Sequence, residues 1–423
     1  MTRTAKPPNM AYIVMESHRC LAIFLCVHLI ISTFSLASTS ERKLSIEYNP
    51  NCTIAVCKNS TDNKNLVYVK AVGNDVIHYL WSSIGAPTLV LATTPNNTKL
   101  HVNWEKLMSS GESNTAIEFV PNDVIYSMAM VFTRMFEYDD VNDTSVISKC
   151  PRCNMKSLLL EDLKWQDMNI TINETTHSAV LNTTLYQPSI KGNGTISIQF
   201  TAYGEKDRSK ILPHLQYTAN TTQVDFTIDS LEPAFNSSRF ALEVLAVSGQ
   251  KNPKEDIIKQ MTKSIDDEYT PGMFEVDELH LPPQPPKSKY GSYSQWKPVC
   301  YFGQARDLSN ALEANSDDLQ TENLYIPRES IMVKFYDMKE VDMAAFNLSF
   351  GTSKDGFYNA HHYVTWTTNV GYGTPPEDEL SLLVIIVLIA GLGIPVLLIV
   401  AGGTYVCIKK RRQKYKELTL LVN

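Results

Sequence analysis

The chain has 423 residues, of which 43% are hydrophobic and 20% charged, and a formal net charge of −7 at pH 7. The acidic excess, with no basic stripe and no aromatic signature of RNA binders, excludes nucleic acid as a partner.

At the N-terminus Arg3, Lys6 and Arg19 precede an apolar stretch of 12 residues, 20–31, and Ser35 and Ala37 follow with the spacing of a signal-peptidase site. Such a stretch is shorter than the ~20 residues that span a bilayer. Residues 1–37 therefore read as a signal peptide, with Met10 or Met15 as alternative starts. Residues 38–379 then form a lumenal part, whose segment from Glu41 to Glu379 carries 29 Lys plus Arg against 43 Asp plus Glu, a net of −14.

Eleven N-glycosylation sequons fall in this part, at Asn51, Asn59, Asn96, Asn142, Asn169, Asn173, Asn182, Asn193, Asn220, Asn236 and Asn347. One such triplet is weak evidence, but a set confined between signal and membrane helix marks a glycosylated, exposed surface. Cys52, Cys57, Cys150, Cys153 and Cys300 share the same oxidising compartment. Their odd number leaves one thiol unpaired or bridged to another chain, which accommodates a homo-oligomer. The CPRC at 150–153 reads as a structural disulfide rather than a redox motif, because it lies in a polar loop after a strand.

Period-two alternation marks strands at Ile196, Ile198 and Phe200, at Val224, Phe226 and Ile228, and at Val364 and Trp366. Further strand-like runs are 66–72, 88–93, 124–138, 240–247, 331–336 and 345–350, while 253–264 and 304–314 carry helical patterns. Residues 139–191 read as a glycan-covered loop region, and 271–298, with six prolines, as an extended surface crossing. This predicts a mainly β, antiparallel sandwich-type ectodomain, long enough for two packed β subdomains, with one C-terminal transmembrane helix.

That helix is the uncharged run of 29 residues, 380–408. At about 1.5 Å per residue it exceeds the ~30 Å hydrocarbon core. Lys409, Lys410, Arg411 and Arg412 follow it and Glu377, Asp378 and Glu379 precede it, which places the tail, 409–423, in the cytosol. Ala390 and Gly391 recur eleven residues later as Ala401 and Gly402, about three turns on, so one face can let another helix approach closely. In the tail, Tyr415 and Leu418 form a tyrosine-based sorting pattern of the kind that clathrin adaptors read in an extended conformation, with Leu420 and Leu421 as a weaker alternative.

Catalytic and cofactor motifs are missing from the sequence: there is no nucleophile elbow, HExxH, phosphate loop or dinucleotide fingerprint. Asp266, Asp267 and Glu268 supply carboxylates as glycoside hydrolysis requires, but adjacent acids are more often a solvated turn. His361 and His362 could be read as a metal pair, but neighbouring residues along a strand point to opposite faces.

Several longer strings occur in a fixed order: HYLWSSIGAP at 78–87, VNW at 102–104, VFTRMFEYD at 131–139, SIDDEYTP at 264–271, QWKPV at 295–299, AFNLSFG at 345–351, HHYVTW at 361–366 and the run 371–376. Together they resemble the glycosylated lysosomal membrane protein family, across essentially the whole lumenal part. The resemblance implies a non-catalytic, cofactor-free type I protein of the lysosomal membrane. Its implied partner is a lysosomal major-facilitator transporter of dipeptides, which it binds, stabilises and shields from lumenal proteases. A glycan-coated β-rich ectodomain on one helix also fits an adhesion or ligand-binding receptor, and more distantly a lumenal hydrolase.

Overall fold

The computed structural model describes residues 41–55, 64–109, 115–166, 168–184, 194–251, 258–265, 269–270, 272–377 and 382–420. All lie in the unit Glu41–Asn423. Alternating apolar residues put most of the chain into two antiparallel sheets, and Lys99–Val102 with Ile117–Val120 and Asp207–Arg208 with Gln216–Tyr217 form two separate two-stranded pairs. In spatial order the first runs Lys43–Tyr48, Leu66–Val72, Val76–Ser82, Thr88–Thr94, Tyr126–Asp139, Ser238–Ser248, Asp342–Phe350 and Ala311–Ser316. Met155–Leu159 pairs with the second half of Tyr126–Asp139.

The second sheet runs Asn169–Ile172, Thr176–Thr184, Thr195–Tyr203, Thr221–Asp229, Tyr363–Tyr372, Ser292–Trp296, Glu275–Leu281 and Lys259–Ser264. Val299–Tyr301 also pairs with Tyr363–Tyr372. The strand Ala311–Ser316 joins the sheets, since its first half pairs with Val299–Tyr301 and its second with Asp342–Phe350.

One core fills the space between the sheets, with aromatic pairs crossing it: Trp81 stacks on Phe200 at 5.6 Å, Phe226 on Phe350 at 6.3 Å and Trp296 on Phe346 at 5.3 Å between ring centroids. Full burial of such a side chain contributes roughly 1.5–3 kcal/mol. Tyr126–Asp139 and Ser238–Ser248 are buried almost throughout because the first sheet is covered on its outer face too. There Leu66, Leu80, Val90 and Val131 meet Trp104, Leu107, Ile331 and Met332 from two short helices, Trp104–Met108 and Ile331–Phe335. Long strands and this outer layer use the chain length in a single sandwich, in place of two subdomains.

Five local expectations are corrected. Residues 331–336 are not a strand: Ser330 caps the helix Ile331–Phe335 by accepting from the Met332 N–H at 3.0 Å, and three consecutive apolar residues pack it on the sheet. The helical pattern at 253–264 yields the edge strand Lys259–Ser264, while 252–257 lie outside the described residues. The pattern at 304–314 is a single 3-10 turn, Leu308–Asn310, closed by an Asp307 capping box before a strand begins. Within 139–191 and 271–298, strands form between the loop-forming residues: Met155–Leu159, Asn169–Ile172, Thr176–Thr184, Glu275–Leu281 and Ser292–Trp296. Pro282, Pro283, Pro285 and Pro286 all sit in the connection between the last two, where no ladder hydrogen bond is needed.

Candidate glycan-bearing and membrane surfaces

Nine of the eleven sequon asparagines are described; Asn59 and Asn193 lie outside. Asn51, Asn96, Asn142, Asn169, Asn173 and Asn236 are exposed. Asn182 is half-buried on the outward-facing side of its strand, whose other face buries Ala179 and Leu181 in the core. Asn220 and Asn347 are different. The Asn220 side chain accepts from Arg42 Nε at 2.7 Å, and its Nδ2, the atom a glycan needs, donates to the Tyr372 carbonyl at 3.3 Å. Asn347 lies mid-strand opposite Glu243, half-buried, with its Oδ1 enclosed and without a hydrogen-bond partner.

Cys150 and Cys153 form a disulfide with a Cα–Cα distance of 5.4 Å, following a 3-10 turn and buried beside Phe136, Tyr138 and Ile147. Cys52 is disulfide-bonded, and Cys57 lies outside the described residues. The odd thiol is Cys300, buried in the sandwich and donating to the Glu313 carbonyl at 3.1 Å; burial raises its pKa and keeps it protonated. Cys407 is free and exposed.

The C-terminal helix is Leu382–Leu420, and its segment Leu383–Gln413, which ends in the basic run 409–412, is long and apolar enough to cross a membrane. Residues 378–381, which include the start of the predicted 380–408, lie outside the described residues, and the helix runs on beyond Ile408. Ala390, Gly391, Ala401 and Gly402 are exposed, and a methyl group added at either glycine would meet nothing within 4 Å. The backbone at Tyr415 and Leu418 is helical, in contrast to the extended conformation expected of a sorting signal, because the basic and apolar residues after the span continue a helix-compatible run.

The acids Asp266, Asp267 and Glu268 lie outside the described residues. His361 and His362 sit in a turn ahead of strand Tyr363–Tyr372 rather than in it, His361 against Phe302 at 5.1 Å and His362 against Tyr358 at 5.7 Å. Among the described residues no three His, Cys, Asp or Glu side chains converge as metal ligands.

Two charged clusters escaped the sequence reading. Arg239, 1% exposed, donates to Asp140 at 2.9 Å, Asp355 at 2.8 Å, Asp143 at 2.6 Å and the Thr352 carbonyl at 3.0 Å, with Phe357 stacked 4.8 Å from its guanidinium. Burial opposes ionisation of Asp143, but the hydrogen bonds from Arg239 and the Lys354 N–H outweigh it and hold the carboxyl below its ordinary range. Gly351, at φ +122°, passes so close that a Cβ would lie 2.1 Å from Arg239 Nη1. The cluster ties two loops at one end of the sandwich.

On the second sheet, Glu278 accepts from His280 at 2.6 Å and Gln295 at 3.0 Å and pairs with Lys263 at 2.8 Å. Its burial would raise the carboxyl; these donors instead bring it down to about 2. Here the chain leaves the sandwich: Gly373 N–H donates to the Gly291 carbonyl at 2.8 Å, and Gln295 Nε2 to the Pro376 carbonyl at 3.2 Å.

The sequence profile of the glycosylated lysosomal membrane protein family matches residues 65–413. Glycosylated lysosomal membrane protein A of Xenopus laevis is 36% identical over 89% of this chain and 92% of its own. The Danio rerio protein of that name is 33% identical, covering 88% and 90%, and the Homo sapiens protein 31%, covering 92% and 93%. A galactose 1-epimerase from Lactobacillus acidophilus, 10% identical, aligns over 79% of this chain and 100% of its own at a TM-score of 0.31, too low to transfer fold or activity. Relatives above 30% identity over nearly the full length, together with the profile match, establish that this chain belongs to the glycosylated lysosomal membrane protein family.

Proposed function

We propose that the chain is a non-catalytic type I glycoprotein of the lysosomal membrane. In this reading it is an accessory subunit that binds, stabilises and shields a major-facilitator transporter of dipeptides from lumenal proteolysis. Family membership supports the lysosomal site, and the resemblance supplies the transporter. The basic run 409–412 at one end of the span and the sequons at the other support the orientation.

The observation that carries the role is the helix itself: it is long and apolar, with Gly391 and Gly402 open to a close-packed neighbour. Helices in a bilayer gain little from apolar burial against one another and associate through packing at small residues. In the tail, clathrin adaptors would bind Tyr415 and Leu418 after local unwinding of the end of the helix, where the chain is least tied down.

The test is coprecipitation of the transporter in mild detergent. Gly391→Leu with Gly402→Leu is expected to lower recovery, while changes at Ile385 and Val396 on the opposite face leave it intact. Equal recovery from both would move the affinity to the lumenal part, and no copurifying transporter with the wild type would overturn the role.

A further inference from the structure

Between Asn236 and Asn347 there is no sequon. This stretch builds the sheet edge beside the chain's exit towards the membrane, and a groove of about 580 Å³ opens there. Its lining includes Lys259, His280, Pro282, Lys289, Tyr290 and Pro375, and no carboxylate. Lys259, Lys287 and Lys289 are exposed, and Tyr290 is 50% exposed with the Lys289 ammonium 5.7 Å from its ring centroid. Of the acids beside it, Glu278 is already matched by Lys263 and His280, and Glu377 lines the adjoining pocket with Pro376 rather than this groove. On a lumenal part with a net of −14 this is a local reversal of charge.

Pro375 is only seven residues from Leu382, the first described residue of the helix, so the linker spans at most about 25 Å. The groove is thereby tethered within reach of the bilayer surface. We propose that it takes the anionic headgroup of a phospholipid in the membrane that the helix crosses. Lys259 and Lys289 meet the phosphate, Tyr290 lies at headgroup level, where aromatic rings with a polar tip are favoured, and the proline walls face the less polar glycerol region. The inference goes beyond the accessory-subunit reading and rests only on the helix being membrane-embedded.

The probe is full-length protein in nanodiscs of phosphatidylcholine, with or without phosphatidylserine, carrying lipids spin-labelled at the headgroup. All five native tryptophans are buried, Trp104 being the most exposed at 4%, so Tyr290→Trp adds a solvent-facing fluorophore. Its emission is expected to be quenched in the anionic discs. Quenching should fall to the neutral-disc level with Lys259→Glu and Lys289→Glu, and in part with the milder Gln pair, each lysine changing the docked population about fivefold. Unchanged melting of these surface variants separates lost docking from lost fold.

Equal quenching in neutral and anionic discs would overturn the proposal. So would displacement by inorganic phosphate, which would make the groove a free-anion site, or lysine-dependent capture of an acidic peptide in neutral discs, which would make it a protein site. Failure of the wild type to enter discs at all would overturn the membrane anchor itself and this inference with it.

Discussion

His78 is fully buried, hydrogen-bonded at Nδ1 to the Tyr68 hydroxyl at 2.8 Å and at Nε2 to the Thr94 hydroxyl at 2.7 Å. Burial, assisted by Lys70, lowers its pKa to about 3. Below pH 6.5 the unfolded chain takes up a proton here and the folded chain does not. The stability His78 supplies is therefore complete above that pH and declines as pH falls towards 3. At pH 5 the loss is about 2 kcal/mol. A His78→Gln variant keeps a donor and an acceptor but cannot titrate, so its unfolding free energy is expected to differ less between pH 7 and pH 5 than the wild type's, by about that amount. Denaturant titrations at the two pH values measure it; equal differences would show that His78 is not held neutral. Neither this site nor the Arg239 cluster was legible in the sequence, since Asp140 and Asp355 stand 99 and 116 residues from Arg239. The Cys150–Cys153 bridge was legible because its partners are three residues apart.

Among the elements, the strands read correctly carry either period-two alternation, as in Thr195–Tyr203, where the period selects the buried face, or a short apolar-rich run, as in Thr88–Thr94 and Ser238–Ser248, which are buried on both faces. The misread ones were short and decided by neighbours. Lys259–Ser264 is polar and mostly exposed and is a strand only because Glu275–Leu281 pairs with it. Ile331–Phe335 is helical because Ser330 caps it over an apolar sheet face. The same dependence separates the sequons, which look alike in sequence. Asn220 bridges Arg42 and Tyr372, and Asn347 sits within a central strand, so transfer of a glycan there requires breaking hydrogen bonds or parting strands once folding has occurred. Site-resolved mass spectrometry is expected to find high occupancy at Asn51, Asn96, Asn142, Asn169, Asn173 and Asn236 and markedly lower occupancy at Asn220 and Asn347. Full occupancy at the last two would mean that modification precedes formation of their strands.

For the whole molecule, the sequons divide the surface unevenly. Asn142, Asn169, Asn173 and Asn182 crowd one stretch, whereas 237–346 holds none. A glycan keeps proteases from the backbone it overhangs, and proteolysis begins at exposed loops. A glycan on Asn142 would therefore cover Val141, 72% exposed, and one on Asn173 would cover Ile172, 63% exposed, neither of which packing protects. The connection between Glu275–Leu281 and Ser292–Trp296 has no such cover, and its Tyr290 is half exposed. Limited proteolysis of the glycosylated full-length protein should first cut between Asn236 and Asn347. After N-glycosidase treatment, cuts should spread to 139–175 and the intact chain should disappear several-fold faster. Mass mapping of the fragments at matched pH checks both statements. Equal half-lives before and after treatment would remove shielding as the purpose of the glycans. If instead the untreated protein is cut first near Asn142, burial and strand pairing protect 237–346 better than a glycan protects its own loop, and the bilayer or a bound transporter would be the remaining cover for that surface.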